Sequence, residues 1–287
     1  MRKHPVLLTL VFVLLTTLTI GIIAYPFLGE FINKLYANES VEQHMNVAST
    51  ISAERKTELL NEAYSYNDYV ANNVAFDKGS VLDAYQNYDN ILNIGPDTQI
   101  CALYIPKIEC KQAVYHGTYE GVLNNGVMHL HGTSFPVEGN NVHAVLSAHT
   151  AYPNKEFFNN ITELAEGDMF YIYLLGDTYS YKVVNVNIIE PDDSSSLYVV
   201  KGKNYCSLMT CYPFSVNTHR FVVTGELVKK ESNISGFGQV QSESQPKSQV
   251  VNKNLYILIG LCVLWFIVVC VVIVRMVLFS KRQKRCQ

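Results

Sequence analysis

No two cysteines of this 287-residue chain stand in C-x-x-C spacing, so the ligand pattern of a structural zinc site is absent. No cluster of lysine and arginine lies between residues 30 and 254, and the formal net charge is −3. That balance excludes the electrostatic footprint of a nucleic-acid binder. The acidic residues fall into no recognisable calcium cage. No internal repeat is present, and neither proline nor glycine interrupts residues 31–77.

What the chain does have is two uncharged apolar runs. The first covers residues 5–29 behind Arg2 and Lys3; the second covers residues 255–274 and is followed by Arg275, Lys281, Arg282, Lys284 and Arg285. About 20 apolar residues in a helix cross a hydrocarbon core of about 30 Å. Both runs are read as transmembrane helices. The first is longer than the apolar stretch of a signal peptide and lacks a clean small-x-small cleavage site, so an uncleaved anchor is expected. Basic residues flank the outer end of each run, which puts both termini in the cytoplasm and residues 30–254 outside the cell membrane. The membrane is thus an expected partner and nucleic acid is not.

Residues 36–75 read as a helical arm. Ser52 is a candidate N-cap, and Leu59, Ala63, Tyr66 and Val70 recur at helical spacing. From residue 100 the texture changes to short β-rich runs separated by Gly, Pro, Asn and Asp, among them CALYIPKI, NVHAVLSAH, YCSLMTC and HRFVVTGELV. The fold expected is mainly β: about eight strands in a closed or nearly closed barrel after the arm. Six segments follow: 1–29 (tip and first span), 30–98 (arm and possible lid), 99–230 (barrel), 231–254 (a Ser- and Gln-rich flexible linker), 255–279 (second span) and 280–287 (basic tail).

Four cysteines lie between the apolar runs. Cys101 and Cys110 flank IPKI and could face each other across a hairpin, with the register left open. Cys206 and Cys211 are an odd number of residues apart on one strand and point to opposite faces, so they cannot pair locally. Arg220 opens the strand that follows Cys211, with the turn-forming YPFSVNT between them. If those strands pair, the two side chains meet at one end of the barrel. Among eight histidines, His149 ends an apolar strand and enters a polar loop, where sites are usually built. His116, His129 and His131 fall in Gly-rich connections, and His219 is expected on the face opposite Arg220. On these residues alone, Cys211 is either a buried small side chain or a nucleophile.

A resemblance bears on that choice. IPKI, then VYHGTYEGVLNNGVMHLHGTSFPVEG, VLSAH, LAEGDMFYIYLLGDTYSYKV and SLMTCYPFSVNTHRFVVTGE follow in order over residues 103–228. The chain resembles the sortases, and most of all the class C, pilin-polymerising sortases of Gram-positive bacteria. The family's Thr-Leu-x-Thr-Cys signature stands here as Ser207-Leu208-Met209-Thr210-Cys211, with Ser in the first place. A second apolar run and a long arm before the barrel agree with class C.

The resemblance implies a sortase-type eight-stranded β-barrel. It implies that Cys211 is the catalytic nucleophile, His149 the catalytic histidine and Arg220 the catalytic arginine, with no cofactor and no metal. The partners implied are pilin or surface-protein substrates with C-terminal LPXTG-like sorting signals. Two other roles share the fold: attachment of proteins to cell-wall precursor, or a tethered binding barrel in which Cys211 is structural. The chain also departs from its class. The usual lid motif, Asp-Pro followed by an aromatic, is missing from residues 72–90, where Asp77 is followed by Lys78 and Gly79.

Overall fold

The structure, a computed structural model, describes residues 5–72, 87–94, 98–117, 123, 126–150, 155, 157–232, 260, 263, 265–272 and 274–275. The chain divides into two compact units, Met1–Phe31 with Gln245–Gln287, and Ile32–Ser244. In the first unit Thr16, Thr17 and Thr19 turn their hydroxyls onto the carbonyls of Val13 and Leu15, while Phe12, Leu14 and Ile22 stay exposed. Trp265 Nε1 donates to Thr16 Oγ1 at 3.3 Å. Among the described residues no single helix is long and apolar enough to cross a membrane. One pair broken at Pro26, Val11–Tyr25 with Phe27–Thr50, meets that test by length and composition. Proline lacks the amide proton the helix needs there. Of the expected linker 231–254, Glu231 ends the strand His219–Glu231, and residues 233–254 and the basic tail lie outside the described residues.

In the second unit, α1 (Pro5–Thr50) ends and α2 (Ala53–Asn72) begins across a two-residue break. Ser52 Oγ accepts the amide of Arg55 at 3.2 Å, capping the new helix as its position in the sequence predicts. Leu59, Ala63, Tyr66 and Val70 form the buried stripe of α2 and join the main core of the barrel. Asn67 lies on the same stripe and works as a polar clamp. Its Nδ2 donates to Phe135 O at 3.0 Å and its Oδ1 accepts Phe135 N at 2.7 Å. Lys56 of α2 reaches the buried Asp177 at 2.7 Å.

Eight strands close a barrel in the order β1-β2-β3-β4-β7-β8-β6-β5. They are β1 (Gln99–Ile105), β2 (Cys110–His116), β3 (Val127–His129), β4 (Val142–Ser147), β5 (Met169–Leu174), β6 (Asp177–Ile189), β7 (Asn204–Tyr212) and β8 (His219–Glu231). The pairs β2–β3 and β4–β7 are parallel. Inward side chains include Leu103, Leu146, Phe170, Tyr181, Cys206, Leu208 and Val223. Phe170 stacks on Tyr181 at 5.2 Å. A Cβ at Gly225 would come within 2.5 Å of the Phe170 ring, so only glycine fits opposite Cys206.

Two details differ from the sequence reading. His116 ends β2 and His129 ends β3, so both belong to strands and not to connections; β3, at three residues, is too short to stand out from its Gly-rich surroundings. Cys101 and Cys110 form no disulfide with each other. The β1–β2 register sets Cys101 against Val114 and Cys110 against Ile105, so the two thiols sit at opposite ends of the hairpin.

Residues 87–94 rejoin the described chain on a cluster of rings. Tyr88, fully desolvated, packs against His116, His129, His131 and Phe135, and its hydroxyl lies 2.6 Å from His129 Nδ1. The rest of the expected lid, residues 73–86, lies outside the described residues. Burial pushes the imidazole of His129 down to about 3 and that of His44 down to about 4, from an ordinary 6.5. Both therefore stay neutral in the folded protein at neutral pH.

Two predictions follow from these contacts. Asn67→Ala strands a buried amide and a buried carbonyl of Phe135, and is expected to cost about 2–3 kcal/mol in urea denaturation. The unfolded chain binds protons at His44 and His129 that the folded one refuses, so stability is complete above pH 6.5 and falls as pH drops towards 3–4. At pH 5 each group is expected to cost about 2 kcal/mol. Melting curves at pH 7.5 and 5 check this, and His44→Met should make the loss shallower.

Candidate active site

The site is built where β4, β7 and β8 run side by side. Cys211, next to last in β7, pairs directly with Arg220, second in β8. The chain turns between them because Pro213 O accepts the amides of both Val216 and Asn217 at 3.0 Å, with Ser215 and Asn217 in the left-handed region. On the other side β4 lies parallel to β7, with Ser147 opposite Met209. Two residues on from each of these, His149 stands alongside Cys211. The structure thus pairs Cys211 with Arg220 directly and places the His149 backbone on the adjoining segment, two residues past the last β4–β7 pair.

Hydrogen bonds on both sides of His149 hold it there. Before it, Ala148 N donates to Met209 O at 3.2 Å and Thr210 Oγ1 donates to Ala148 O at 2.6 Å. After it, Thr150 Oγ1 donates to Cys211 O at 3.2 Å. The carbonyl of His149 itself accepts Phe158 N at 3.3 Å. Thr210 is buried and was missed as a site-building residue in the sequence reading; its signal was its place directly before the cysteine on the opposite face.

Arg220 is half-buried, and its Nη1 donates to Asn217 O at 3.3 Å and His219 O at 3.0 Å. These bonds to its own turn aim the guanidinium and leave the Nε and Nη2 donors out of that pair of contacts. His219 pairs across the sheet with Tyr212 and reaches Glu190 at 3.2 Å.

Exposure separates the four cysteines. Cys101, Cys110 and Cys206 are buried, and Cys211 is only half-buried. Burial pushes the thiols of Cys101 and Cys206 well up, which keeps them protonated and unreactive. Cys110 Sγ donates to Phe157 O at 3.4 Å. A half-buried thiol on a strand end, with an arginine paired across the sheet and a histidine on the adjoining segment, supplies the residue types needed to attack a carbonyl, protonate a leaving group and offset an oxyanion. Among the described residues no group of three or more His, Cys, Asp or Glu is disposed to hold a metal ion.

Comparison with known proteins agrees with this geometry. The Sortase domain matches residues 103–228. The chain is 31% identical over 129 residues to Sortase D of Bacillus subtilis (strain 168), an alignment covering 44% of this chain and 62% of that protein. It therefore spans about three-fifths of that relative's length. The structure of sortase C1 from Streptococcus agalactiae superposes with a TM-score of 0.63 at 31% identity, covering 67% of this chain and 98% of that one. A sortase C of Clostridium perfringens, solved with the C-terminal cell wall sorting motif, gives 0.59 at 33% identity, covering 67% and 100%. The chain belongs to the sortase family, a family of transpeptidases, and its structural neighbours are of class C.

Thr210→Val removes the hydroxyl that donates to Ala148 O, one of the two bonds tying Ala148 to β7, while keeping the side-chain shape. Amide hydrogen exchange at residues 148–150 is expected to quicken severalfold as this segment loosens from β7. The barrel should stay folded, with native far-UV circular dichroism.

Proposed function

We propose that this chain is a membrane-anchored cysteine transpeptidase that cleaves an LPXTG-like sorting signal and joins the acyl product to a pilin lysine amine. The observation that carries the reading is the strand register that sets Arg220 opposite Cys211, with His149 held alongside by the parallel β4–β7 pair. The class C neighbours support the choice of acceptor, and the Clostridium perfringens sortase C solved with the C-terminal cell wall sorting motif supports the choice of donor.

In this mechanism Cys211 Sγ attacks the carbonyl carbon before the scissile bond. The C–N bond breaks as the C–S bond forms, and His149 gives its proton to the departing amine. Arg220 donates to the carbonyl oxygen as negative charge builds on it. The incoming lysine amine then gives a proton to His149, forms the new C–N bond and expels the Cys211 thiolate. The barrel at 99–230 is the catalytic unit of the proposal, and no cofactor enters any step.

Anchoring through residues 5–29 and 255–274, with both termini in the cytoplasm, fits the exposed apolar side chains Phe12, Leu14, Ile22 and Phe266, which water would solvate poorly. The threonine hydroxyls bonded to their own helix remove part of the cost of burying polar groups in lipid. An enzyme and a substrate that share one membrane also meet at a raised effective concentration.

Intact-mass spectrometry with an LPXTG-type peptide tests the reading. The wild type is expected to gain the acyl mass, and Cys211→Ala and Cys211→Ser to gain none. Arg220→Lys should lower the acylation rate by about 10²-fold, the usual effect of removing an oxyanion donor. A folded wild type that gains no acyl mass from any related peptide would refute transpeptidation. Product from a pilin-derived lysine peptide, but not from a cell-wall precursor amine, would fix the acceptor.

A further inference from the structure

The outward face that ends at Cys211 has three rungs. Nearest the site stand His149, Cys211 and Arg220. Two residues along each strand come Ser147, Met209 and Val222. Two more residues along come Val145, Ser207 and Thr224, with His143 two positions beyond Val145 on β4. His143, Ser207 and Thr224 are all buried, although this is the outer side of the barrel. What covers the face is the connection between β6 and β7, residues 190–203. Its Leu197 packs with Ile189, Val145 and Val222, and Met209 lies against the same cluster.

His143 fastens that connection. Its Nδ1 lies 2.8 Å from the carbonyl of Tyr198, which can only accept, so Nδ1 carries the proton. Nε2 is then the acceptor, 2.8 Å from Ser207 Oγ, and Ser207 in turn accepts from Thr224 Oγ1 at 2.8 Å. Hydrogen bonds thus run in one direction from β8 through β7 and β4 into the connection. Two further ties hold its ends: His219 to Glu190 at 3.2 Å, and Gly202 N to Asn141 Oδ1 at 2.7 Å. The connection leaves β6 at Ile189, which pairs with Arg220, and it carries exposed Tyr198 and Val200.

We propose that His143 is a positioning residue for peptide selection: by holding Tyr198 through the Thr224–Ser207–His143 chain, it sets residues 190–203 as one wall of the path to Cys211. The proposal rests on the transpeptidase reading above and deepens it. The peptide class expected on this wall is the apolar part of a sorting signal, met by Tyr198 and Val200. His143 itself touches no reacting atom.

The test uses the full chain in detergent micelles and compares wild type, His143→Phe and Ser207→Thr. Phenylalanine keeps the ring contact with Tyr205, 5.7 Å away, removes both imidazole hydrogen bonds and leaves Ser207 paired with Thr224. Hydrogen exchange of residues 190–203 is expected to speed up in His143→Phe while β7 and β8 keep their rates. KM for an LPXTG-type peptide should rise about 5- to 10-fold, the scale of one lost hydrogen bond, with kcat within about twofold. Alkylation of Cys211 by iodoacetamide should keep its rate, and Ser207→Thr, which retains the hydroxyl, should match wild type throughout. Should His143→Phe fail to fold, Ser207→Ala carries the same comparison.

Unchanged exchange in residues 190–203 would overturn the proposal, as would faster exchange with an unchanged KM. A fall in kcat alone would also overturn it, because His143 would then act on the chemistry. A wild type that never acylates sinks the reading underneath. A wild type that acylates beside a variant of unchanged KM sinks this inference alone.

Discussion

The parallel pairing of β4 with β7 is the constraint on which the rest of this structure depends. An antiparallel neighbour could be supplied by a tight turn, and β8 is supplied to β7 in that way. A parallel neighbour needs a long excursion, and here the chain lays β5, β6 and their connections between the two strands before β7 returns beside β4. That return brings His149 level with a cysteine 62 residues later. Each of the two contacts with β7 adds one group: the turn adds Arg220 and the excursion adds His149.

Much of this could be read in the sequence, and the missing parts share a physical cause. The alternation along β7 and the turn after Cys211 are local signals that set Arg220 opposite the thiol on condition that the two strands pair, and the register meets that condition. His149 could be picked out as a strand end, but its partner strand could not be, because parallel register is set by the packing of the whole barrel. The resemblance singled out His149 without naming that partner strand. β3 escaped notice because three residues carry no periodicity. Thr210 and the His143–Ser207–Thr224 chain escaped because polar residues on a strand read as solvent-facing until the covering connection is known. The separation of Cys101 from Cys110 followed from the register of the hairpin, which spacing alone left open.

The arm is part of the core rather than an appendage to it. Leu59, Ala63 and Tyr66 of α2 share one apolar cluster with Leu146 and Cys206 of the barrel. Asn67 supplies the polar counterpart, treating Phe135 as a neighbouring strand would. Asp177, at the start of β6, gathers Lys56 from α2 and Lys230 from the far end of β8. The strand that begins at the candidate site therefore ends at the seam with the arm. Histidines fill much of that seam, and burial keeps them uncharged, so they serve there as aromatic packing and neutral hydrogen-bond partners.

The strand that carries Cys211 also carries Cys206 on its inner face, closed off with Cys101. One β-strand thus presents a thiol to solvent at one position and hides another five residues away. In the folded barrel a thiol reagent meets Cys211 first, whereas Cys101, Cys110 and Cys206 become accessible when the strands part. Counting modified sulfurs within residues 99–230 would therefore report the opening of the barrel directly, with no probe beyond the side chains already there.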